Sequence, residues 1–212
     1  PGDEPDLKRG FNIFEERENT DNETIISSFN SIFDTELRFN DQWKLSSQVG
    51  IQWDQSSQEQ YVGENTFNMR NIREDSSYDE NQYIVPKGGM HTVNNATTSQ
   101  ITWKVQGEYK NTFNDIHDIQ IMAGSEIRKN WYNTQFTAGY GYDPKTLTTK
   151  PLNIRNDKDA EKYKLHTKTY QENAFASFYT TGSYSFMSRY TIGGSVRMDG
   201  SDLFGVDKKY RY

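Results

Sequence analysis

The sequence predicts an all-β protein and, more narrowly, an antiparallel transmembrane β-barrel of which about six strands are present. Three observations lead to this prediction. Apolar and polar residues alternate over long stretches, short turns alternate with long polar connections, and two tryptophans stand at a membrane-like spacing. Successive side chains of an extended strand point to opposite faces, so the alternation indicates strands with one apolar and one polar face.

The clearest alternation lies between residues 29 and 53. Its odd-numbered positions are mostly apolar or aromatic, and its even-numbered positions are almost all polar. Residues 40–42 can close the two strands as a hairpin. Trp43 and Trp53 stand ten residues apart, and a membrane-spanning strand needs about 9–11 residues with aromatic girdles at both interfaces. Taken alone, the hairpin fits a soluble β-sandwich equally well, because sandwich strands also alternate.

Further strands follow the same pattern. Alternation resumes over residues 101–113 and again over 119–131, and residues 172–186 form a less regular strand. The last strand begins at Tyr190 and places Ile192, Val196 and Met198 on its apolar face. In a membrane barrel these apolar positions, like the odd-numbered residues from Phe33 to Trp53, would face lipid.

Two long polar connections, Asp54–Thr98 and Tyr132–Gln171, separate the hairpins. The first has an excess of acidic residues and the second an excess of basic residues. They alternate with short turns at 40–42, 114–117 and 187–189, as in outer-membrane barrels, which have short periplasmic turns and long extracellular loops. A sandwich has no reason to place every long loop at one end. The alternation therefore favours the barrel, with the long connections on the cell exterior.

The domain assignment follows from the strand count. A single-chain bacterial barrel needs at least about eight strands, so the remaining wall is expected outside this sequence. We interpret residues 1–212 as part of one transmembrane β-barrel domain. The chain begins at Pro1 without Met or an apolar signal segment, so we expect it to be a piece of a longer polypeptide. Residues 1–23 are predicted to be a loop.

Composition excludes several classes of protein. Hydrophobic content is 33% and mean hydropathy is −0.99, yet 14% of residues are aromatic, which is too many for a disordered chain. No apolar run reaches the length of a membrane helix. Without cysteine, neither a disulfide framework nor a thiolate metal site can form. A net charge of −6 argues against a nucleic-acid partner.

The C-terminal residues resemble a known family. The run from Arg189 to Ser201 reads RYTIGGSVRMDGS and is followed by Phe204 and Gly205. It resembles the SusC/RagA family, the TonB-dependent outer-membrane transporters of Bacteroidetes, whose pattern is an Arg-Tyr strand followed by Arg-x-Asp-Gly-Ser-Ser-x-Phe-Gly. Asp202 stands where the second Ser is usual. The motif residues, for which a structural role is expected, are Arg197, Asp199, Gly200, Ser201, Phe204 and Gly205.

This resemblance implies a barrel of about 22 strands with a plugged lumen, placed in the bacterial outer membrane. It implies import of glycans or peptides, a SusD-like surface lipoprotein as partner, and TonB contacted through a segment outside this chain. Neither a cofactor nor an enzymatic activity is implied. The alternative function is that of a soluble β-sandwich carbohydrate-binding module, which would purify without detergent.

Several residues are candidates for individual roles. We expect six aromatic residues to mark the membrane interfaces: Phe39, Trp43, Trp53, Phe113, Trp131 and Tyr190. The acidic run 74–80 could bind Ca²⁺ through oxygen ligands, but a solvated loop is the favoured interpretation. Aromatic residues of the long connections could stack on sugar rings, but packing among the loops is favoured: Tyr61, Phe67, Tyr78, Tyr83, Tyr140 and Tyr142.

The histidines do not suggest a catalytic or metal site. His91, His117 and His166 are far apart in sequence and fall in different segments. The sequence also lacks a nucleophile elbow and a phosphate-cradling loop. We therefore do not predict an enzyme.

Overall fold

The computed structural model describes residues 10–202. The chain is an all-β protein, as predicted, with one six-stranded antiparallel sheet and a separate two-stranded sheet. The strands of the large sheet, in spatial order, are β1 (Thr20–Arg38), β2 (Trp43–Val62), β5 (Gly89–Phe113), β6 (His117–Tyr142), β7 (His166–Phe186) and β8 (Tyr190–Ser201). The small sheet pairs β3 (Ser77–Asp79) with β4 (Gln82–Tyr83). The helices are α1 (Ile13–Glu18), α2 (Phe67–Glu74) and α3 (Asp157–Lys162).

The short turns lie where the sequence predicts them, and local polar chemistry closes them. At the first turn, the Asn40 side-chain oxygen accepts hydrogen bonds from the backbone N–H groups of Gln42 and Trp43, at 2.9 and 2.8 Å. An asparagine commonly closes a turn through such bonds to the backbone two or three residues on. The next turn places Asn114 and Asp115 at positive φ, 51° and 58°, which a two-residue hairpin turn requires.

The long connections are shorter than predicted, because the strands continue beyond the apolar alternation. β2 ends at Val62 instead of residue 53, and β5 begins at Gly89, so the first connection is residues 63–88. In the same way the second connection is residues 143–165. Residues 55–60 are polar on both faces. They give no alternation to detect, yet their backbone groups pair as in any strand.

The N-terminal segment also differs from its prediction. Residues 13–18 form α1 where a loop is expected, and β1 begins at Thr20. Asn12 caps the helix, because its side-chain oxygen accepts the Phe14 N–H at 3.1 Å. Such a cap satisfies a backbone donor that a short helix leaves unpaired.

The described residues divide into two compact units. The first unit comprises residues 10–26, 55–96 and 134–169, and it contains both long connections. Its core consists of five side chains that are no more than 5% exposed: Val62, Met69, Ile84, Val85 and Tyr163. Thr66 begins α2 beside this core, accepting the Met69 N–H at 3.1 Å and donating to the Gly63 carbonyl at 2.8 Å.

The second unit comprises residues 27–54, 97–133 and 170–202. It contains strand segments and the three short turns. β7 and β8 pair in a continuous antiparallel register, with Phe178 opposite Met198 and Tyr179 opposite Arg197. Neighbouring pairs therefore alternate between the two faces of the sheet. No helix within residues 10–202 is both long and apolar enough to cross a membrane.

Candidate functional site

One face of the sheet in the second unit, the apolar face, carries large exposed hydrophobic side chains. Odd-numbered residues of β1, β2, β5 and β6 lie on it, as the alternation predicts. β7 and β8 contribute even-numbered residues to the same face. Prominent members, all between 37% and 73% exposed, are Phe33, Leu37, Trp43, Trp53, Ile101, Trp103, Ile121, Ile127, Phe178, Ile192, Val196 and Met198. So large an exposed apolar area marks a surface that is covered by a partner or by lipid.

Most of the predicted interface aromatics lie at one end of the apolar face, next to the short turns. Phe39, Phe113 and Tyr190 stand at strand ends and are 69%, 42% and 72% exposed. The Trp43 ring lies 4.7 Å from that of Tyr109. This grouping agrees with a girdle of aromatic side chains, but their place at a membrane interface stays a prediction.

The other end of the apolar face is marked by charge. Lys129 forms a 2.5 Å ion pair with Glu172, and Tyr170 donates a hydrogen bond to the same carboxylate at 2.9 Å. The half-buried Trp131 ring lies 5.2 Å from the Lys129 ammonium. Trp53 is 37% exposed, and the ten steps from Trp43 to Trp53 span about 33 Å along a strand. At a tilt of about 45°, a strand of that length crosses about 23 Å of membrane thickness, close to the apolar band of about 25 Å in outer-membrane barrels.

The opposite face, the polar face, is connected by hydrogen bonds and ion pairs across strands. Lys44 of β2 lies 2.9 Å from Glu108 of β5 and 3.7 Å from Glu36 of β1. Gln48 donates to Asp34 at 2.8 Å. These contacts join β1, β2 and β5 through side chains as well as through the backbone. A sandwich would bury one face against a second sheet, but here one face is apolar and exposed and the other is polar.

A tyrosine and a glycine fit together on the polar face. A Cβ atom at Gly124 would lie 2.5 Å from the Tyr179 ring, so only glycine leaves room for this aromatic side chain. The Tyr179 hydroxyl donates to the Gln106 side-chain oxygen at 3.1 Å. Through this one side chain, β7 is joined to β5 across β6.

The family-motif residues that are described lie on or beside β8. Arg197 donates to Asp199 at 2.8 Å and to the Ser177 hydroxyl at 3.1 Å. Ser177 is only 7% exposed. Gly200 and Ser201 are the last residues of β8, opposite Ala176 and Phe175. Phe204 and Gly205 lie outside the described residues, and a structural role for the motif stays a prediction.

In the first unit, hydrogen bonds fasten the two long connections to each other. Lys150 donates to the Lys87 carbonyl at 2.9 Å, and the Asn153 N–H donates to the Ile84 carbonyl at 2.9 Å. Lys162 reaches the Asp75 carbonyl at 3.4 Å. The connections are therefore one packed body with a small apolar core, and not two separate solvated loops.

A second set of contacts in the first unit involves Arg155. Its guanidinium lies 4.2 Å from the centre of the Tyr78 ring and donates to Asp159 at 2.8 Å. This hydrogen bond, with further help from the Arg155 backbone N–H, lowers the pKa of the Asp159 carboxyl below its ordinary value. Asp159 lies in the first turn of α3, where a negative charge suits the helix dipole, and its backbone N–H donates to the capping Asn156 side-chain oxygen at 3.0 Å.

The acidic run 74–80 is not a solvated loop, contrary to the favoured interpretation. Glu74 ends α2, Ser76 is 1% exposed, and residues 77–79 form β3. Ser76 accepts the Val85 N–H at 3.1 Å, which fixes the run to the core. The carboxylates themselves point to solvent, and within residues 10–202 no three His, Asp or Glu side chains are grouped as metal ligands would be.

The aromatic side chains that the sequence assigns to the long connections make contacts with protein, which supports the packing interpretation. Tyr61, Tyr140 and Tyr142 lie in β2 and β6 and not in the connections themselves. Tyr61 and Tyr142 meet edge to face at 5.7 Å, and Tyr140 meets the buried Tyr163 at 6.2 Å. The Arg73 guanidinium covers the Tyr83 ring at 4.3 Å. These contacts favour a packing role over stacking on a sugar.

The histidines remain apart in the structure. His91 lies 2.6 Å from Glu59 and stacks on Tyr142 in the first unit. His117 lies 2.7 Å from the Tyr184 hydroxyl in the second unit. His166 is the first residue of β7. His91 and His117 therefore each contact neighbouring side chains within their own unit.

The sequence analysis missed two contacts of the polar face: Tyr179 on Gly124, and the Arg128 guanidinium 4.9 Å from the centre of the Phe175 ring. Each joins residues that are about fifty positions apart, and the strand pairing that brings them together cannot be read from one strand. The one sequence signal for these contacts is that Gly124, Phe175 and Tyr179 stand at positions that the alternation assigns to the polar face.

Comparisons with known proteins give consistent results. No family model matches the chain. TonB-dependent receptor P39 of Formosa agariphila is 29% identical over 102 residues, covering 47% of this chain and 9% of the receptor. TonB-dependent receptor P26 of the same organism is 22% identical over 191 residues, covering 90% of this chain and 18% of the receptor.

Solved structures show the same relationship at the level of fold. The structure of the RagAB peptide transporter matches with a TM-score of 0.69 and 17% identity, over 89% of this chain and 19% of that one. The RagAB importer in its open-open state matches with a TM-score of 0.68 over 90% of this chain. The chain thus spans less than a fifth of the length of these relatives. With its C-terminal motif, its sequence relatives and its fold in agreement, the chain is SusC/RagA-like and is similar to part of a TonB-dependent transporter.

Proposed function

We infer that this chain forms part of the barrel wall of an outer-membrane importer that takes up large nutrients, glycans or peptides, in a TonB-dependent manner. The observation that carries this proposal is the pair of opposite faces in the second unit. An exposed apolar face about one bilayer thick suits lipid, and a hydrogen-bonded polar face suits a water-filled lumen. The similarity to TonB-dependent receptors supports the same function.

The mechanism requires no chemistry on the substrate. The polar face would guide a solute through the lumen, and the apolar face would hold the wall in the outer membrane. Energy would reach the transporter from TonB, through a segment that is not in this chain. The described part of the chain contributes rigidity, because side-chain bonds such as Lys44–Glu108 and Tyr179–Gln106 reinforce the backbone ladder.

The long connections would serve as a docking surface for a surface lipoprotein. The packing of the two connections into one body supports this role, because a preorganised surface lowers the entropic cost of binding. The first connection presents exposed acidic side chains such as Glu74 and Glu80. The second presents basic ones such as Lys145 and Lys158. A partner with complementary charges would be held in one orientation.

Cysteine labelling on intact cells tests the orientation. The chain has no cysteine, so single Glu80→Cys and Ser188→Cys variants of the full-length protein give unambiguous labels once any cysteines elsewhere are removed. A membrane-impermeant maleimide should label position 80 in intact cells and position 188 only after lysis. The reverse pattern would show that the long connections face the periplasm.

A transport assay tests the activity itself. Cells that depend on the full-length protein for growth on a particular glycan or peptide mixture should stop growing on it when TonB is removed, and should continue to grow on glucose. Growth on that nutrient without TonB would contradict the proposed mechanism. Extraction from membranes without detergent would instead favour the soluble carbohydrate-binding module.

A further inference from the structure

The polar face of the second unit contains an arginine whose charge has no carboxylate partner. Arg128 of β6 is half-buried, and none of the carboxylates in residues 10–202 lies within ion-pair distance of it. Its Nε–H is buried without a hydrogen-bond acceptor. Arginine stays charged at any physiological pH, so it cannot remove this deficit by losing a proton. A buried donor without a partner is costly, so a hydrogen-bonding group placed beside Arg128 would be favourable.

An aromatic contact helps to position the guanidinium of Arg128. It lies 4.9 Å from the centre of the Phe175 ring of β7, close enough for a cation–π contact. A stacked guanidinium keeps the outer edge of its planar fork available, and that fork matches a carboxylate with two parallel hydrogen bonds. Arg128 is thus held in the state that a binding arginine needs before its ligand arrives.

The neighbouring residues carry matching features. Asn130 is the next residue on the same face, and its side-chain oxygen is also buried without a donor. Lys104 of β5 lies 5.9 Å from the centre of the Tyr179 ring, and no carboxylate of the described residues lies within ion-pair distance of it either. Arg197, by contrast, is already paired with Asp199.

The charges on this part of the polar face leave a positive excess. Glu126 is the residue of β6 that precedes Arg128 on the polar face. It forms no ion pair with any described cation. Together, Lys104, Arg128 and Glu126 have a net charge of +1. A solute with a carboxylate would be attracted here, and the orphan oxygen of Asn130 could accept a hydroxyl or amide proton beside that carboxylate.

We propose that Arg128, with Lys104 and Asn130, forms a subsite on the polar face that binds a carboxylate group. The proposal rests on the proposed function in one respect, since the polar face must line a water-filled lumen. The carboxylate belongs either to a transported solute, such as a uronic acid or an acidic peptide, or to a segment of the polypeptide outside this chain. Both sources present the same chemistry to Arg128.

Calorimetric binding to the full-length protein in detergent tests the solute. The probes are two matched pairs: tetragalacturonate with its methyl ester, and an acetylated hexapeptide of alternating alanine and glutamate with its glutamine analogue. At least one acidic probe should bind about tenfold more tightly than its neutral counterpart, a difference of about 1.4 kcal/mol. Arg128→Gln should abolish that preference. Arg128→Lys keeps the positive charge but loses the planar guanidinium, so it should retain only part of the preference for the acidic probe. If Arg128→Gln fails to assemble, this partial loss in Arg128→Lys is the test.

Arg38→Gln is the matched control, since Arg38 also lies on the polar face but is 75% exposed and paired with Glu36. It should leave the preference unchanged. The other possible source of the carboxylate, a polypeptide segment outside this chain, is tested without any added probe. If the carboxylate belongs to another segment of the polypeptide, Arg128→Gln should lower the unfolding midpoint by several degrees, whereas Arg38→Gln should not.

Two results would overturn the proposal. One is a preference for the acidic probe that Arg128→Gln retains. The other is the absence of any preference together with equal unfolding midpoints for the two variants, which would mean that water alone satisfies Arg128. Neither result bears on TonB-dependent uptake or on the cysteine labelling, so the failure of this subsite is distinguishable from the failure of the proposed function.

Discussion

The two units of the chain bury opposite kinds of side chain. The first unit hides Met69 and Val85 in a small apolar core, at 1% and 0% exposure. The second unit leaves Trp43 and Ile192 outside, at 51% and 73%, and hides Ser177 at 7%. The first unit is organised as a water-soluble domain is, around apolar burial. The second is organised as a membrane wall is, with its apolar surface left for lipid.

The two units therefore depend on different forces. The first unit should respond to changes in core volume, as soluble proteins do. The second should respond to charge on its apolar face and to the fit of side chains on its polar face. Variants that affect one unit and spare the other therefore test the comparison directly.

The largest effect is expected from Met69→Ala. Truncating this fully buried side chain should cost about 2–5 kcal/mol, the range for deleting a large core residue. Limited proteolysis should then cut residues 63–88 much faster, while heat-modifiable gel mobility, which reports the barrel, stays normal. Asn68→Ala, at an exposed position of the same helix, is the control. Loss of the gel shift in Met69→Ala would show that the two units do not respond separately.

Charge on the apolar face should have the next largest effect. Val49→Arg should cost about 2–4 kcal/mol near the bilayer midplane, whereas Gln48→Arg on the polar face should be nearly neutral. Reversible unfolding in lipid vesicles measures both. Equal costs would refute the assignment of the odd-numbered residues of β2 to lipid.

The fit on the polar face gives the third prediction. Gly124→Val should cost about 1–3 kcal/mol through overpacking against Tyr179. Gly182→Val meets nothing within 4 Å and should be neutral or slightly stabilising. Unfolding midpoints in detergent compare the two. Adding Tyr179→Ala to Gly124→Val should restore part of the loss, and additive effects of the two changes would show that the contact is unimportant.

A smaller effect is expected at the turn between β7 and β8. Met187 and Ser188 adopt positive φ, 49° and 54°, a conformation that favours asparagine and glycine. The double change Met187→Asn with Ser188→Gly should raise stability by about 1 kcal/mol. Asp115→Gly should gain less, because Asn114 and Asp115 already tolerate this conformation. A lower unfolding midpoint for the double variant would contradict this account.

The smallest effect is a pH dependence in the first unit. The pKa of Asp159 is lowered in the folded chain, chiefly by the Arg155 hydrogen bond. Its stabilising contribution is therefore present above the ordinary carboxyl pKa of 3.8 and is lost as the pH falls below it. Pepsin should cut residues 143–165 progressively faster as the pH drops below 3.8. Asp159→Asn should remove this extra pH dependence, and an unchanged profile would assign it to other groups.

How much of this could be predicted from the sequence depends on the range of the interactions. Alternation is a local signal, so the hairpin at residues 29–53, the short turns and the apolar face were all predictable. The C-terminal motif at Arg197 supplied the family. The polar ends of the strands were missed because residues 55–60 are polar on both faces, so they leave no trace in side-chain hydropathy.

The site was less predictable than the fold. The packing of Met69 with Tyr163 joins residues almost a hundred positions apart, and nothing in either connection indicates the other. The contact of Tyr179 with Gly124 requires the register between β6 and β7 to be known. Side-chain fits between distant segments depend on pairing geometry, and a single sequence without that geometry does not contain them.

The strand segment at residues 55–60 has an evolutionary consequence. Its side chains are polar on both faces. The segment is held by backbone hydrogen bonds and by two cross-strand side-chain contacts, Gln58 with Asn22 at 3.2 Å and Glu59 with His91 at 2.6 Å. At the other positions of the segment, one polar residue can replace another at little cost, since substitutions away from specific contacts usually change stability by no more than about 0.5 kcal/mol. If the segment lies on the cell exterior, its sequence could change quickly under selection by antibodies and bacteriophages. The backbone hydrogen-bond register of the sheet would stay the same.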